Sequence, residues 1–189
     1  QVEAFAVAAS GDSMAKLRVF FATNRNYEPG NKRLFGPHFN PDGVAALRFG
    51  HADFDGGPKT PKLEDMFVYP DILGEPDITK TGGGQFLEDL RQAMANGPRS
   101  DTLVFIHGFN VSFTGALQAG AHLAREVSVG GKAVNVVVFS WPSDGIAIPE
   151  MSYYSDREDA RASGPSVARA FLKLRDFLIQ LDPGDYCQR

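Results

Sequence analysis

The sequence predicts an α/β fold, a parallel sheet covered by helices on both faces, and three observations carry that reading. Two strand patterns, DTLVFI from Asp101 to Ile106 and AVNVVVFSW from Ala133 to Trp141, flank a helical stretch from Ser112 to Val127. An earlier run, LRVFFAT from Leu17 to Thr23, is almost continuously apolar, as in a strand buried on both faces. A long helical pattern follows, from about Tyr154 or Asp156 to Leu181. Strand, helix, strand and helix at these lengths form a βαβ unit with a right-handed crossover and helices on both sides of the sheet.

Taken in order, the elements separate at recognisable breakers. Residues 1–16 are rich in small side chains and read as a flexible N-terminal arm; residues 17–189 read as one domain. The first strand ends in the polar turn Asn24-Arg25-Asn26. From Tyr27 to Thr81 the chain is dense in Gly, Pro, Asp and Lys, with two short strand-like pieces, Ala46 to Phe49 and Met66 to Tyr69. Gly82-Gly83-Gly84 leads into a helix from Gln85 to Ala95, in which Phe86, Leu87, Leu90 and Met94 share one face, and Asn96-Gly97-Pro98 stops it. Gly130-Gly131-Lys132 breaks the next helix, and Pro142-Ser143-Asp144-Gly145 closes the strand that follows. Gly164-Pro165 interrupts the last helical pattern, and Pro183-Gly184 ends it.

Composition narrows the function classes. A chain of 189 residues with 43% hydrophobic content is long enough for one ordinary core. The formal net charge of -4, with no basic stripe, argues against a nucleic-acid partner. The single cysteine, Cys187, allows no disulfide within the chain and no paired-thiolate metal site. His38, His51, His107 and His122 have no i, i+4 metal spacing, so neither a metal nor a cofactor is expected. No run approaches the roughly 18 apolar residues that span a bilayer, so no integral membrane segment is expected. The N-terminal residues lack the basic start of a signal peptide, yet a chain beginning at Gln fits a processed terminus; the compartment, cytoplasmic or exported, stays open.

In a parallel α/β sheet, function collects in the loops leaving the carboxyl ends of the strands, where helix N-termini present unpaired amides. Two such loops stand out. The first is His107-Gly108-Phe109-Asn110, a glycine-containing turn between strand and helix, where the amides of Phe109 and Asn110 are placed to meet a developing oxyanion. The competing reading makes Gly108 a simple turn, Asn110 or Ser112 a helix cap and His107 a hydrogen-bonded strand-end histidine. The second loop, Phe139 to Gly145, carries the only tryptophan, Trp141, beside Pro142 and Ser143. It either lines a pocket or packs the helix layer.

Three segments, TLVFIHGFNVSF, VVVFSWPSDG and YYSDREDARASGPSVARAFLKL, together resemble a bacterial α/β-hydrolase family of poorly defined function, domain of unknown function 900, often labelled esterase- or lipase-like. The resemblance runs from about Leu17 to Leu181, with FATNRN as a further match. It implies a partial α/β-hydrolase fold of three αβα layers and an oxyanion role for the turn at His107, Gly108, Phe109 and Asn110. The F-S-W-P-S segment falls on Phe139 to Ser143, and the Tyr, Asp and Ser of the following helix fall on Tyr154, Asp156 and Ser163.

In that fold the nucleophile sits in G-x-S-x-G after a strand, and the acid and histidine follow it. By that order the elbow falls after Gln188-Arg189, so these residues correspond to the N-terminal part of the domain, without nucleophile, acid or base. Two elbow-like strings, Gly164-Pro165-Ser166-Val167-Ala168 and Gly11-Asp12-Ser13-Met14-Ala15, lack the required strand or position. Cys187 near a histidine is a further nucleophile candidate, though a lone cysteine here reads more simply as a small residue entering the next strand. Asp156, Arg157, Glu158, Asp159 and Arg161 read as a capped, solvated first turn.

The expected function is part of a serine hydrolase acting on an ester or related acyl substrate, inactive by itself. Phe109 and Asn110 are then the oxyanion donors, and His107, Gly108, Trp141, Ser143 and Tyr154 shape the substrate pocket. A non-catalytic binding or interaction module on the same half-fold is the alternative. Either way, the sheet should present a bare edge for a C-terminal fragment or a second chain.

Overall fold

The computed structural model describes residues 16–28, 30, 34–43, 46–57, 60–70, 74–97, 101–143 and 149–180, with side chains of 149–155 excepted. The strands are β1 (Leu17–Thr23), β2 (Arg25–Tyr27), β3 (Phe35–Phe39), β4 (Arg48–Asp55), β5 (Lys62–Val68), β6 (Thr102–Ile106), β7 (Ser128–Val129), β8 (Lys132–Ala133) and β9 (Asn135–Ser140). The helices are α1 (Gly82–Asn96), α2 (Phe113–Glu126) and α3 (Pro149–Ile179), and a 3-10 turn, Ile78–Lys80, precedes α1.

The main sheet has the order β5-β4-β1-β9-β6. β1, β9 and β6 run parallel, as the apolar runs require, whereas β4 pairs antiparallel with both β1 and β5. The sheet is therefore mixed. The two strand-like pieces seen between Tyr27 and Thr81 are parts of longer strands, with β4 covering eight residues and β5 seven. The antiparallel margin follows from β4, which alternates in burial: Gly50, Ala52 and Phe54 are buried, and His51, Asp53 and Asp55 between and after them are half-exposed. That period-2 pattern suits an antiparallel strand near the sheet margin.

β9 is central and all six of its residues are buried. On one face α2 lays down Phe113, Ala116, Leu117, Gly120, Ala121 and Ala124, an i, i+3, i+4, i+7 stripe, against Val19, Val136 and Val138. Gly120 permits the close approach: a Cβ there would stand 2.5 Å from Val138 Cγ2 and 3.0 Å from Val19 Cγ1. The opposite face packs Phe20, Phe49, Val137 and Phe139 against Phe86 and Leu90 of α1 and Val167, Ala170 and Leu174 of α3. Helices on both faces make three layers.

Helix ends follow local chemistry. Thr81 caps α1 by accepting from the Gly84 amide, and Ser112 caps α2 by accepting from the Gly115 amide. The last helix starts earlier than its sequence pattern indicated, at Pro149, a residue suited to a first helical position, and it continues through Pro165. Of the predicted strand from Ala133 to Trp141, Ala133 ends β8, which pairs with β7 across the turn at Gly130 and Gly131 with positive φ, and Asn135 to Ser140 form the buried β9. β6 is an outer strand among the described residues, and its Val104 and Ile106 are 42% and 47% exposed. Residues 1–15, with the Ser13 string, and residues 181–189, with Cys187, lie outside the described residues.

Candidate active site

The parallel strands end together, and their carboxyl-end loops meet in a buried polar network. β1 delivers Asn24 and Arg25, β6 delivers His107, and β9 delivers Ser140, Trp141 and Ser143; all are buried, as are Asp156, Ser163 and Ser166 of α3. Arg25, 1% exposed, donates from Nε to Ser140 Oγ at 3.0 Å, from Nη1 to the Gly36 and Ser143 carbonyls, and from Nη2 to the Val111 carbonyl at 2.8 Å. A fork of fixed donors therefore ties four chain segments together, which a lysine cannot do.

His107 lies flat against Trp141, with ring centroids 5.1 Å apart and planes 14° from parallel, and Trp141 Nε1 donates to the His107 carbonyl at 2.9 Å. Its Nδ1 is 2.7 Å from the Gly108 carbonyl and its Nε2 is 3.2 Å from Ser140 Oγ. Because Arg25 only donates, Ser140 Oγ accepts from it and turns its own proton toward Nε2. Nδ1 then carries the ring proton and donates to Gly108. Burial, with Arg25 nearby, lowers the His107 pKa to about 4, so the ring is neutral. The Ser140-His107 pair has the spacing of a nucleophile and its base, but Ser140 is 0% exposed and its oxygen is held by Arg25. It can anchor the loop; it cannot reach a substrate.

Asp156 requires a correction to the sequence reading. It does not head a solvated first turn: it lies within α3, is 1% exposed, and accepts from the Asn110 amide at 2.8 Å and from Ser143 Oγ at 2.7 Å, both through Oδ2. The Ser143 hydroxyl oxygen in turn accepts from the Val111 amide at 3.0 Å. Arg157, Glu158 and Arg161 of the same run are exposed, as expected. Asn110 sits at φ 57°, a left-handed conformation that asparagine tolerates, and this aims its amide at the carboxylate. The expected open pair of donors is therefore altered, since the Asn110 amide already holds an anionic oxygen from within the protein.

The other candidates sort as follows. Gly108 and Phe109 lie on the exposed side of the turn, Phe109 being 48% exposed. Trp141 is 6% exposed, donates to the His107 carbonyl and packs in the helix-covered core, which is its packing reading. Ser143 is fully buried and faces Asp156 rather than open space. Tyr154 falls in α3, and its side chain is outside the described ones. Ser166, from the elbow-like string, is buried in mid-helix within reach of Asn24 Nδ2 at 3.4 Å, so it is no strand-to-helix elbow. Sequence reasoning passed over Arg25 and Asn24, although their signal was present in two polar residues directly after a buried strand.

Beside the network, on the α1 and α3 side, an apolar groove runs along Val137, Phe139, Val104 and Ile106 to Val167 and Phe171. It reaches the carboxyl ends of the parallel strands, where Ala22, Ile106 and Phe139 belong to its wall. Among the described residues no group of three or more His, Cys, Asp or Glu is placed to hold a metal ion, and no helix is long and apolar enough to cross a membrane.

Three layers, parallel strands and a strand-turn-helix loop held at their carboxyl ends define the α/β-hydrolase class. Residues 84–177 match the family model described as an alpha/beta hydrolase of unknown function (DUF900). The span contains His107 to Asn110, Ser140 to Ser143 and Asp156, while Asn24 and Arg25 precede it. No curated protein and no solved structure matches the chain.

Proposed function

We propose that this chain contributes the substrate-binding and oxyanion side of a serine hydrolase acting on an ester or related acyl substrate. The observation that carries the reading is the turn from His107 to Asn110. It sits at the carboxyl end of β6, beside an apolar groove, and one of its amides already binds a carboxylate oxygen at 2.8 Å. Phe109 is the proposed oxyanion donor on the exposed side of the turn. Asn110, fixed by Asp156, holds the turn in register, and His107, Gly108 and Trp141 give it a rigid floor. Tyr154 keeps its proposed place in the substrate pocket, and Ser143 supports that pocket through Asp156. Donors fixed in advance in a site sheltered from water stabilise a tetrahedral intermediate without reorganising, and one such donor is worth about 3 kcal/mol.

No exposed nucleophile belongs to this network, so the proposal assigns the serine, the acid and the base to residues or a chain that pair with the open edge of β6. Attack by that serine, an acyl-enzyme and its hydrolysis complete the mechanism. The test is turnover of p-nitrophenyl esters of graded acyl length by the natural protein. Hydrolysis that saturates and falls at least tenfold in Asp156→Asn supports the reading, with folding checked by circular dichroism. Saturable ester binding without turnover would instead make the domain a binding module.

A further inference from the structure

A second cavity lies between the start of α1 and the face of α3, away from the hydrogen-bonded network. It measures about 360 Å³ and is lined by Arg48, Arg169 and Lys173 among aromatic and aliphatic residues that include Phe49, Tyr69 and Ile78. Among the described residues its wall carries three cations and no carboxylate. Arg48 pairs with Asp42 at 2.7 Å, and Asp77, ahead of α1, pairs with Lys80 at 3.5 Å. Arg169 and Lys173, one turn apart on α3, have no ion pair or hydrogen bond among the described residues.

Lys173 is exposed and reaches the amino end of α1. Its Nζ stands 3.6 Å from where a Cβ of Gly83 would be, at the amino end of α1, and 5.8 Å from the Phe49 ring centroid. The Gly84 amide goes to Thr81 Oγ1 and the Gln85 amide to the Thr81 carbonyl, which leaves the first-turn amides of Gly82 and Gly83 with no acceptor inside the helix. Lys173 therefore stands at the positive end of a 15-residue helix and Arg169 lines the same cavity, an arrangement that favours an anion. The apolar groove adjoins this cavity: Phe49, Gly83 and Lys173 belong to both walls, and apart from Lys173 the groove carries no polar side chain.

We propose that the cavity and groove together bind a soluble single-chain amphiphile with a phosphate-type head. The head lies between Arg169, Lys173 and the amides of Gly82 and Gly83, and the hydrocarbon chain follows the groove past Ala170 toward Ile106. A phosphomonoester suits the head position because two unpaired cations and two amides line it, enough to meet a dianion. This assignment concerns binding; its head site lies away from the network around His107, while its groove is the one beside the proposed oxyanion turn.

Calorimetric titration of the natural protein with decyl phosphate, inorganic phosphate and decanol tests it. Decyl phosphate should bind saturably, at least tenfold more tightly than either of the others. Arg169→Gln with Lys173→Gln, both at exposed positions, should weaken decyl phosphate at least tenfold. Ala170→Trp, which fills the groove, should weaken decyl phosphate and leave inorganic phosphate unchanged. Equal binding of decanol, unchanged binding by the double variant, or binding of inorganic phosphate alone would each overturn the assignment. Retention on phosphatidic acid vesicles in preference to soluble decyl phosphate would overturn it in favour of a bilayer lipid.

Discussion

Asp156→Ala removes the acceptor of two donors at once, the Asn110 amide and the Ser143 hydroxyl. Each buried donor left unpaired costs about 1–3 kcal/mol, so urea unfolding should show a loss of about 3 kcal/mol, whereas Glu158→Ala on the exposed side of the same helix should change little. His107 supplies a pH signature. Its folded pKa of about 4 lies below the ordinary 6.5, so between those values the unfolded chain takes up a proton that the folded chain refuses. The contribution is complete above about pH 6.5 and is lost as pH falls toward 4, amounting to about 3 kcal/mol at most. Urea midpoints measured from pH 7 to pH 4 should fall more steeply for the wild type than for His107→Gln; parallel curves would refute this. At this scale the strand ends singled out the loops that meet in the buried network but not their wiring. The turn at His107 and the Trp141 loop were legible from strand ends. Asp156 was hidden inside a charge run, although Asp156, Ser163 and Ser166, spaced by seven and three, do fall on one helical face.

Among the elements, α2 makes the strongest demand on its sequence. Gly120→Ala places a Cβ 2.5 Å from Val138 Cγ2, and the strain should outweigh the better helix propensity of alanine. A net loss of about 1–2 kcal/mol in a thermal or urea melt is expected; a gain would mean that the helix lifts off the sheet without cost. The three parallel strands and all three helices were readable because each carries an apolar run or stripe at its own period. β4 and β5 were read too short for a physical reason. β4 alternates buried and polar residues, β5 has no buried residue, and pairs such as Arg18 with Asp53, at 2.7 Å, fill polar positions that look like loop in the bare sequence. Continuity of α3 through Pro165 was illegible for the opposite reason: the packing of Val167, Ala170 and Leu174 holds a helix that local propensity would break.

For the molecule as a whole, the open edge of β6 matters most. An outer strand bearing Val104 and Ile106 half-exposed, beside a groove that ends on exposed Phe171, is an unfinished surface among the described residues. Ile106→Lys should lower the unfolding midpoint of the natural protein by about 2 kcal/mol if a further strand covers this edge, and should leave it unchanged if the edge faces water. The hydrolase proposal requires the covered state, because that is where its nucleophile enters. The most direct test is to treat the natural protein with a fluorophosphonate and map the adduct by peptide mass. The account predicts one labelled serine, outside the residues from Leu17 to Ile179. Labelling of Ser140, Ser143, Ser163 or Ser166 would contradict the anchoring role given to the buried network, and the absence of any adduct while decanoyl esters still bind would contradict the hydrolase itself.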